Sequence, residues 1–244
     1  MSPEAYVEMA RTEDVHWWFV ARRTILTRLL RSMSLKKDAR ILEVGSGTGG
    51  NLDMLSQFGT VSALEMDDTA RAMAKEKTGG QIDIRAGKCP GEIPFEDQKF
   101  DLICMFDVLE HIEQDVETLD ALKGLLAPEG RMIITVPAYQ WMWSAHDEFL
   151  HHHRRYSARD FKSKVNSVDL HILRLSHFNF LLFPIAFLVR MKDRLTKNDV
   201  PTGGSPPPKL VNWLLTRVFK NEALLLSFMN LPAGLSLVSI LRSE

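Results

Sequence analysis

Residues 40–52 read R-I-L-E-V-G-S-G-T-G-G-N-L, and this stretch decides the fold. It begins as a short apolar run around Glu43 and ends abruptly in glycines. Such a run predicts a buried parallel strand. The glycines supply a tight turn in which the backbone can approach a ligand closely, and Leu52, Leu55 and Phe58 then recur at helical spacing. Strand, glycine loop and helix in this order form the nucleotide-binding corner of a doubly wound α/β sheet.

Two carboxylates bear on which nucleotide this corner would take. A dinucleotide places its pyrophosphate at the glycine loop and the helix N-terminus, where Glu43 would repel the phosphates. S-adenosylmethionine (SAM) has no phosphate, and its methionine end carries an ammonium group that a carboxylate at the strand tip can hold directly or through water. Glu65 ends the next apolar run, twenty positions after Gly45, the distance expected of an acid that bonds the two ribose hydroxyls. The pair favours SAM and disfavours a dehydrogenase.

A third segment, P-F-E-D-Q-K-F-D-L-I-C-M-F-D-V-L-E-H at 94–111, completes a set of motifs that resembles the class I SAM-dependent methyltransferases over about residues 40–137. The resemblance implies a Rossmann-like α/β fold whose seven-stranded, mostly parallel sheet has an antiparallel last strand and helices on both faces. It implies SAM as the cofactor. It also carries the cofactor-binding role to residues of the glycine loop and the strand ends: Glu43, Gly45, Ser46, Gly47, Glu65, Met66, Asp107 and Val108.

The sequence departs from the family pattern after the third predicted strand. Members usually carry an acidic residue there that accepts a hydrogen bond from the adenine amino group, whereas this chain has Lys88 and Cys89. A lysine side chain offers no acceptor. We therefore expect backbone groups of Lys88 or Cys89 to bind adenine.

The chain has 244 residues, of which 45% are hydrophobic and 25% charged, an ordinary balance for one α/β domain. We predict a single domain over 1–244, with a helical lid at 1–36, a SAM-binding core at 37–137, a substrate segment at 138–158 and a helical insertion at 179–232. The formal net charge of −1 provides no basic field for nucleic acid. Two distant cysteines and the lack of a signal-peptide pattern favour a cytoplasmic location.

The helix predicted before the first strand opens with H-W-W-F-V-A-R-R at 16–23. Adjacent tryptophans cannot lie on the same face of a helix, and two interpretations of the segment remain open. Either the aromatic side chains fix the helix to the domain, or the segment covers the SAM pocket. In the second case Trp18 and Arg22 bind the cofactor, with Arg22 near the methionine carboxylate. A resemblance to a bacterial methyltransferase subgroup with an HWWF…RR opening favours the second interpretation.

His111 follows the fourth predicted strand, at the sheet edge where ligands bind in this fold. An unperturbed imidazole titrates near neutral pH, which makes His111 a candidate general base. The open alternative is a structural histidine that is bonded to the backbone.

The segment after the fifth predicted strand, A-Y-Q-W-M-W-S-A-H-D-E-F-L-H-H-H-R-R-Y-S at 138–157, is rich in aromatic and histidine residues. It resembles the same methyltransferase subgroup. We interpret it as a wall of the active site, and the alternatives are a solvated loop and a metal site. The spacing matches no standard zinc pattern, so no metal is expected. Four residues are the candidates for substrate contact or proton removal: His146, His153, Arg154 and Tyr156.

Residues 179–232 contain two apolar helices before the last predicted strand. We expect the first to be broken or kinked at Pro184 and a turn-rich linker at 196–209 to lead to the second. Neither offers the uninterrupted run of about 20 apolar residues that a bilayer span needs. The helices either cap a lipid-like substrate and touch a membrane surface, or pack on the core or on a second subunit. The oligomeric state stays open.

These observations predict methyl transfer to a small or lipid-linked molecule, with oxygen as the expected nucleophile ahead of carbon and nitrogen. Arg154 and Arg155 would suit an acceptor that bears a carboxylate or phosphate. The chain has neither a basic stripe nor the N/D-P-P-Y tetrapeptide of amino-group methylases, whose position is taken by F-D-V-L. A nucleic-acid partner is therefore not expected. The alternative function is a non-catalytic SAM-binding or interaction module.

Overall fold

The structure is a computed structural model that describes residues 3–196 and 205–243. Seven strands form one sheet in the order β3-β2-β1-β4-β5-β7-β6. In chain order these strands are β1 (Arg40–Val44), β2 (Thr60–Glu65), β3 (Asp83–Ala86), β4 (Phe100–Phe106), β5 (Leu126–Pro137), β6 (Leu170–Phe178) and β7 (Ser236–Ser243). The helices are α1 (Pro3–Thr12), α2 (Trp17–Ser32), α3 (Leu52–Ser56), α4 (Asp68–Lys77), α5 (Asp115–Lys123), α6 (Ala145–Phe149), α7 (Ala158–Ser167), α8 (Phe183–Thr196) and α9 (Lys209–Phe228).

The central strand, β1, pairs in parallel with β2 and β4, whereas β7 runs antiparallel to both β5 and β6. The predicted Rossmann-like sheet with an antiparallel last strand is therefore confirmed. Parallel pairing brings the carboxyl ends of the strands together, since Val44 is in register with Leu64 of β2 and with Met105 of β4. The residues that follow these strands share the sheet edge at which ligands bind in this fold.

Apolar side chains cover both faces of the sheet. Ile41 of β1 belongs to the layer under α2 and α9, and Leu42 and Val44 belong to the layer under α5 and α7. Burial on both faces is the reason that β1 reads as a nearly continuous apolar run. Glu43 interrupts this run, yet it is only 1% exposed. A buried carboxyl group is costly unless it is neutral or paired, which marks Glu43 for a function.

Trp17 and Trp18 begin α2 and fix it to α9. Both contact Phe219, Trp17 edge-on at 5.8 Å between ring centroids and Trp18 stacked at 5.3 Å. Trp18 also stacks on Phe178 at 6.0 Å. These contacts support the interpretation in which the aromatic side chains fix the helix to the domain. Trp18 therefore belongs to the packing of α2, whereas Arg22, one turn further along, reaches the sheet edge through Asp107.

The expected kink at Pro184 is wrong, because α8 begins at Phe183 and places the proline in its first turn. Proline is tolerated there since the first N–H groups of a helix have no intrahelical partner. Residues 197–204 of the predicted linker lie outside the described residues. Within the part of the chain that the structure describes, no helix combines the length and the apolarity that a membrane crossing requires.

Candidate active site

The glycine loop after β1 takes a shape that other residues do not fit. Gly45 has a φ of +70°, and a Cβ atom at this position would lie 2.7 Å from both methyl carbons of Val108. The backbone N–H of Gly45 donates to the Leu64 carbonyl at 2.8 Å, and that of Ser46 donates to the same oxygen at 3.2 Å. The loop is thus held between the ends of β2 and β4, with its backbone close to the site.

The carboxyl group of Glu43 lies beneath this loop. Asn51 donates from Nδ2 to Oε1 of Glu43 at 2.8 Å, and Oε2 of Glu43 has no hydrogen-bond partner among the described residues. Burial raises the pKa of Glu43 to about 8, against a lowering effect of Asn51. One buried oxygen is therefore left without a partner in the described structure, and its contact with the ammonium group of SAM stays a prediction.

Glu65, at the end of β2, is buried and connects the loop to the start of α4. Its Oε2 accepts the N–H of Gly47 at 2.7 Å, and its Oε1 accepts the N–H of Asp67 at 2.9 Å. Burial raises the pKa of Glu65. A carboxylate has about four acceptor positions, so two hydrogen bonds leave capacity for ribose hydroxyls.

The helix α1 lies across the same loop. Met9 Cε is 3.1 Å from the place of a Cβ atom on Gly47. Tyr6 is buried, and its pKa is raised by burial and then by the negative charges of Glu65 and Asp67. The phenol of α1 thus lies near the acid expected to bond the ribose. The lid over the cofactor stays a prediction.

Glu13 ties the connection between α1 and α2 to the loop. Its buried carboxylate accepts hydrogen bonds from Thr48 Oγ1 at 2.9 Å and from Lys77 Nζ at 2.8 Å. A Cβ atom on Gly50 would lie 2.2 Å from Oε2 of Glu13, so a side chain there would displace the Glu13 carboxylate. Glu13 is not among the predicted site residues, because a glutamate in a polar stretch carries no sequence signal of burial.

Asp107 and Arg22 meet where β4 ends. Arg22 donates from Nη1 to Asp107 Oδ2, and Thr135 donates to Asp107 Oδ1 at 3.2 Å. Asp107 has a φ of +59°, a left-handed conformation that Asp adopts more readily than most residues. The predicted methionine-end residues, Arg22 and Asp107, are therefore brought together, next to Val108 and the loop.

A groove with a volume of about 690 Å³ lies beside Met66, at the adenine side of the expected cofactor. Met66 is 67% exposed. Lys88 lines the groove, but its N–H and its carbonyl are both bonded to Glu92, each at 2.8 Å. The Lys88 backbone is thus already engaged. Cys89 is buried in the core and does not line the groove, and burial raises its thiol pKa to about 12. Adenine contact by Lys88 or Cys89 stays a prediction.

Tyr156 does not fit the predicted substrate contact, because its side chain is 0% exposed. Its hydroxyl donates to Asp115 Oδ2 at 2.8 Å, and burial followed by the charge of Asp115 raises its pKa. Arg154 and Lys164 pair with the same carboxylate at 2.7 and 3.1 Å. Tyr156 and Arg154 therefore hold the substrate segment to the start of α5.

Arg155 is also engaged within the protein. It donates from Nε and Nη2 to the two oxygens of Asp147, at 2.7 and 3.0 Å. Nδ1 of His152 lies 3.0 Å from Asp147 Oδ1. Burial alone would raise the pKa of Asp147, but the hydrogen bonds from His152 and Arg155 lower it below its usual range. Asp147 and His152 are not among the predicted site residues.

The three histidines predicted for the site differ in burial. Burial, followed by the proximity of His152, lowers the pKa of His111 to about 3. Burial lowers the pKa of His146, in α6, to about 4. His153 is exposed, and its backbone N–H donates to the carbonyl of Glu110 at 2.8 Å. His111 and His146 are thus neutral at physiological pH, and the lowered pKa makes each a weaker proton acceptor than an ordinary imidazole.

A glycine loop, buried acids near the ends of β1 and β2 and a third acid after β4 all lie at the carboxyl edge of the parallel strands. This is the arrangement expected of the class I SAM-dependent methyltransferases. A family model described as a methyltransferase domain matches residues 17–175. The chain belongs to this methyltransferase family, and the class I fold of the family uses SAM as methyl donor.

Comparison with known proteins gives relatives of the same kind. An uncharacterized methyltransferase of Staphylococcus carnosus is 33% identical over 112 residues, 44% of this chain and 52% of that protein. A demethylmenaquinone methyltransferase of Staphylococcus aureus is 24% identical over 134 residues, 50% of this chain and 56% of that protein. The chain thus spans just over half the length of these two relatives. A SAM-dependent methyltransferase from Clostridium acetobutylicum shares the fold, with a TM-score of 0.58, 13% identity and coverage of 91% of this chain and 90% of that one.

Proposed function

We propose that this chain transfers the methyl group of SAM to an oxygen atom of a small or lipid-linked molecule. The observation that carries the proposal is the carboxyl group of Glu43. One of its oxygens is bonded to Asn51, and the other has no partner within residues 3–196 and 205–243. Such a group is costly inside an apolar strand and is suited to the ammonium group of SAM. Once ionised, it would repel the phosphates of a dinucleotide.

The residues that would hold SAM follow the sheet edge. Glu65 keeps acceptor capacity for the ribose hydroxyls after binding the N–H groups of Gly47 and Asp67. Arg22, held by Asp107, would meet the methionine carboxylate. Met66 would contact adenine at the groove that Lys88 also lines. SAM supplies an electrophilic methyl carbon, which the acceptor oxygen attacks while the electron pair of the carbon–sulfur bond stays on sulfur.

The protein would contribute position and a proton acceptor. Most of the rate in such a displacement comes from holding the acceptor oxygen in line with the methyl carbon. The hydroxyl proton needs a neutral base, and His111 after β4 and His146 in α6 are the candidates that remain after Tyr156 is assigned to Asp115. His153 is exposed and is kept as a candidate for substrate contact.

An apolar acceptor fits the surroundings of the substrate segment. Tyr139 stacks on Trp141 at 5.3 Å, and Trp141 contacts Phe187 of α8 at 5.8 Å. A molecule that enters beside the segment would therefore meet α8, whose residues Ile185 and Leu188 are exposed. The name of one relative gives demethylmenaquinone as its substrate, which is consistent with a lipid-like acceptor. We place the enzyme in the cytoplasm, where α8 and α9 would touch the membrane surface.

Calorimetry with S-adenosylhomocysteine and with NAD tests the cofactor assignment. We expect saturable binding of S-adenosylhomocysteine and none of NAD. Glu43→Gln should weaken binding by about tenfold or more, because a hydrogen bond to a charged group contributes about 1.5–3 kcal/mol. Glu117→Gln changes an exposed acid of α5 and should leave the affinity unchanged. NAD binding that matches or exceeds that of S-adenosylhomocysteine would contradict the proposal.

The acceptor is sought with SAM labelled at its methyl group. The chain is incubated with lipid and quinone extracts, and label is expected in the organic phase with wild type and at a reduced rate with Glu43→Gln. Saturable SAM binding without label transfer to any fraction would favour the non-catalytic SAM-binding module instead.

A further inference from the structure

Three side chains with metal-binding atoms meet beside the end of β4. Glu110 and His111 belong to the 3-10 turn Leu109–His111 that follows the strand, and His152 follows α6 in the substrate segment. One ligand atom from each lies within 4.8 Å of the other two. The rings of His111 and His152 are 4.6 Å apart between centroids. The hydrogen bond from the His153 N–H to the Glu110 carbonyl, at 2.8 Å, holds the two segments together.

His152 is oriented by a carboxylate behind it. Asp147 Oδ1 lies 3.0 Å from Nδ1 of His152, and Arg155 holds the same oxygen at 2.7 Å. When one ring nitrogen donates its hydrogen in this way, the other carries the lone pair that binds a metal. Carboxylate–histidine pairs of this kind usually orient the histidines of metal sites.

The charges around the cluster leave room for a cation. Glu110 is 1% exposed, and in the described part of the chain its Oε2 atom has no hydrogen-bond partner. The neighbouring acids Asp107 and Asp147 are already paired with Arg22 and Arg155. A buried carboxylate without a partner is costly. A cation held by Glu110 and the two imidazoles would remove that cost.

We propose that Glu110, His111 and His152 bind one divalent transition-metal ion. Two imidazoles and one carboxylate suit Zn²⁺, Fe²⁺, Co²⁺ or Mn²⁺, whereas Mg²⁺ and Ca²⁺ prefer oxygen ligands. Three protein ligands also leave open coordination positions. Metal–ligand bonds of about 2.1 Å require the ligand atoms to move inward by about an ångström. The sequence spacing did not predict this site, because His111 and His152 come from segments that are separated by the whole of β5.

The place of the ion suggests what it does, and this role rests on the proposed function. Glu110 follows Asp107 by three positions, so the ion would lie at the edge where methyl transfer is proposed. An acceptor hydroxyl bound at an open position would lose its proton more readily, since a metal ion lowers the pKa of a bound oxygen acid. The proton of the hydroxyl would pass to His146 or water. The oxyanion would then form the oxygen–methyl bond, and the electron pair of the broken carbon–sulfur bond would stay on sulfur. His111 would then be a ligand and not the base.

The test uses the untagged full chain, stripped with a chelator and titrated with Zn²⁺ by calorimetry and with Co²⁺ by visible absorption. We expect one ion per chain. Glu110→Gln and His152→Ala should each abolish saturable binding, and Asp147→Asn should weaken it by about 10- to 100-fold. His171→Ala removes an exposed histidine of β6 and should bind the ion as wild type does.

Circular dichroism and melting in chelator show whether each variant folds. If His152→Ala unfolds, Glu110→Gln decides the question, because it keeps the shape of the side chain. Wild type without saturable binding, or Glu110→Gln with wild-type affinity, would overturn the site. S-adenosylhomocysteine binding is measured in the same chelator. A chain that binds Zn²⁺ but not S-adenosylhomocysteine would contradict the proposed function and leave the metal site standing. A chain that binds S-adenosylhomocysteine but not Zn²⁺ would overturn the metal site and leave the cofactor assignment standing.

Discussion

A single buried carboxyl group, Glu43, should make cofactor binding depend on pH. Burial raises its pKa to about 8, so Glu43 is mostly protonated in the free protein at pH 7. The ammonium group of a bound ligand favours the ionised carboxylate and lowers this pKa. Binding should therefore release a proton, and the affinity should rise with pH between about 5.5 and 7.5. This window lies below the pKa of an α-amino group, about 7.7–8.0, so the ligand keeps its charge.

Calorimetry of S-adenosylhomocysteine in buffers that differ in ionisation enthalpy measures the released proton. Glu43→Gln cannot titrate, so it should bind more weakly and lose the pH dependence attributed to this group. An affinity of wild type that stays constant across the window would contradict the contact between Glu43 and the ligand.

Gly45 should tolerate no side chain. In Gly45→Ala the new Cβ atom would lie 2.7 Å from both methyl carbons of Val108, at a φ of +70°. The loop must then move, and we expect calorimetry to show S-adenosylhomocysteine binding weakened by about tenfold or more, since residues forced into this region cost about 1–3 kcal/mol. Gly91→Ala is the control, because a Cβ there would meet no atom of the described structure within 4 Å.

The two causes at Gly45 can be separated with a double variant. Val108→Ala with Gly45→Ala removes the two 2.7 Å contacts, leaves a 3.3 Å approach to the Cβ atom of residue 108 and keeps the backbone strain. If the double variant regains wild-type affinity, the contact alone explains the loss. If Gly45→Ala itself binds as wild type does, the loop does not define the cofactor site.

At the scale of elements, Tyr156 joins the substrate segment to α5. Tyr156→Phe removes the hydroxyl that donates to Asp115 at 2.8 Å. We expect the free energy of unfolding to fall by about 1–2 kcal/mol and the melting temperature by about 2–8 °C. S-adenosylhomocysteine binding and methyl transfer should be kept. A stable variant that has lost methyl transfer would return Tyr156 to a catalytic role.

The positions of the candidate cofactor-binding residues in the fold could be predicted because their determinants are local. Glu43, the glycines and Glu65 lie within 26 consecutive residues, 40–65. Strand periodicity and the conformational freedom of glycine decide where their side chains lie. Asp107 follows β4 in the same way, and parallel pairing then brings these groups to one edge.

The contacts of the substrate segment could not be predicted, because they depend on how this segment packs against distant parts of the chain. Arg155 and Tyr156 look like substrate groups by residue type, yet they pair with Asp147 and Asp115. Nothing in the local sequence tells a cation that faces a ligand from one that neutralises a buried acid. The local sequence also gives no sign that Glu110 is buried, because the segment after α6 reaches it only in the folded chain, through the hydrogen bond from the His153 N–H.

At the scale of the whole molecule, α8 and α9 leave large apolar side chains in contact with solvent. Leu188, Trp213 and Phe228 are 66%, 52% and 81% exposed. The inner side of α9 packs on the core through Phe219 and Leu226, so its outer side is available for something else. Apolar surface of this kind marks a site of interaction. A membrane interface would cover it and would also bring a lipid-like acceptor to the substrate segment.

We expect the full chain to cosediment with liposomes that contain anionic lipids. The double variant Leu188→Ser with Phe228→Ser should have a partition coefficient between liposomes and buffer that is lower by about tenfold or more. The reason is that burying one such side chain contributes about 1.5–3 kcal/mol. Leu173→Ser, at an exposed position of β6, is the matched control and should sediment as wild type does. High salt screens charge but not apolar contact, so the difference between the variants should persist. Equal sedimentation of all three proteins would contradict the membrane role. If the wild type is instead a dimer in solution and the double variant is a monomer, these faces of α8 and α9 bind a second copy of the chain.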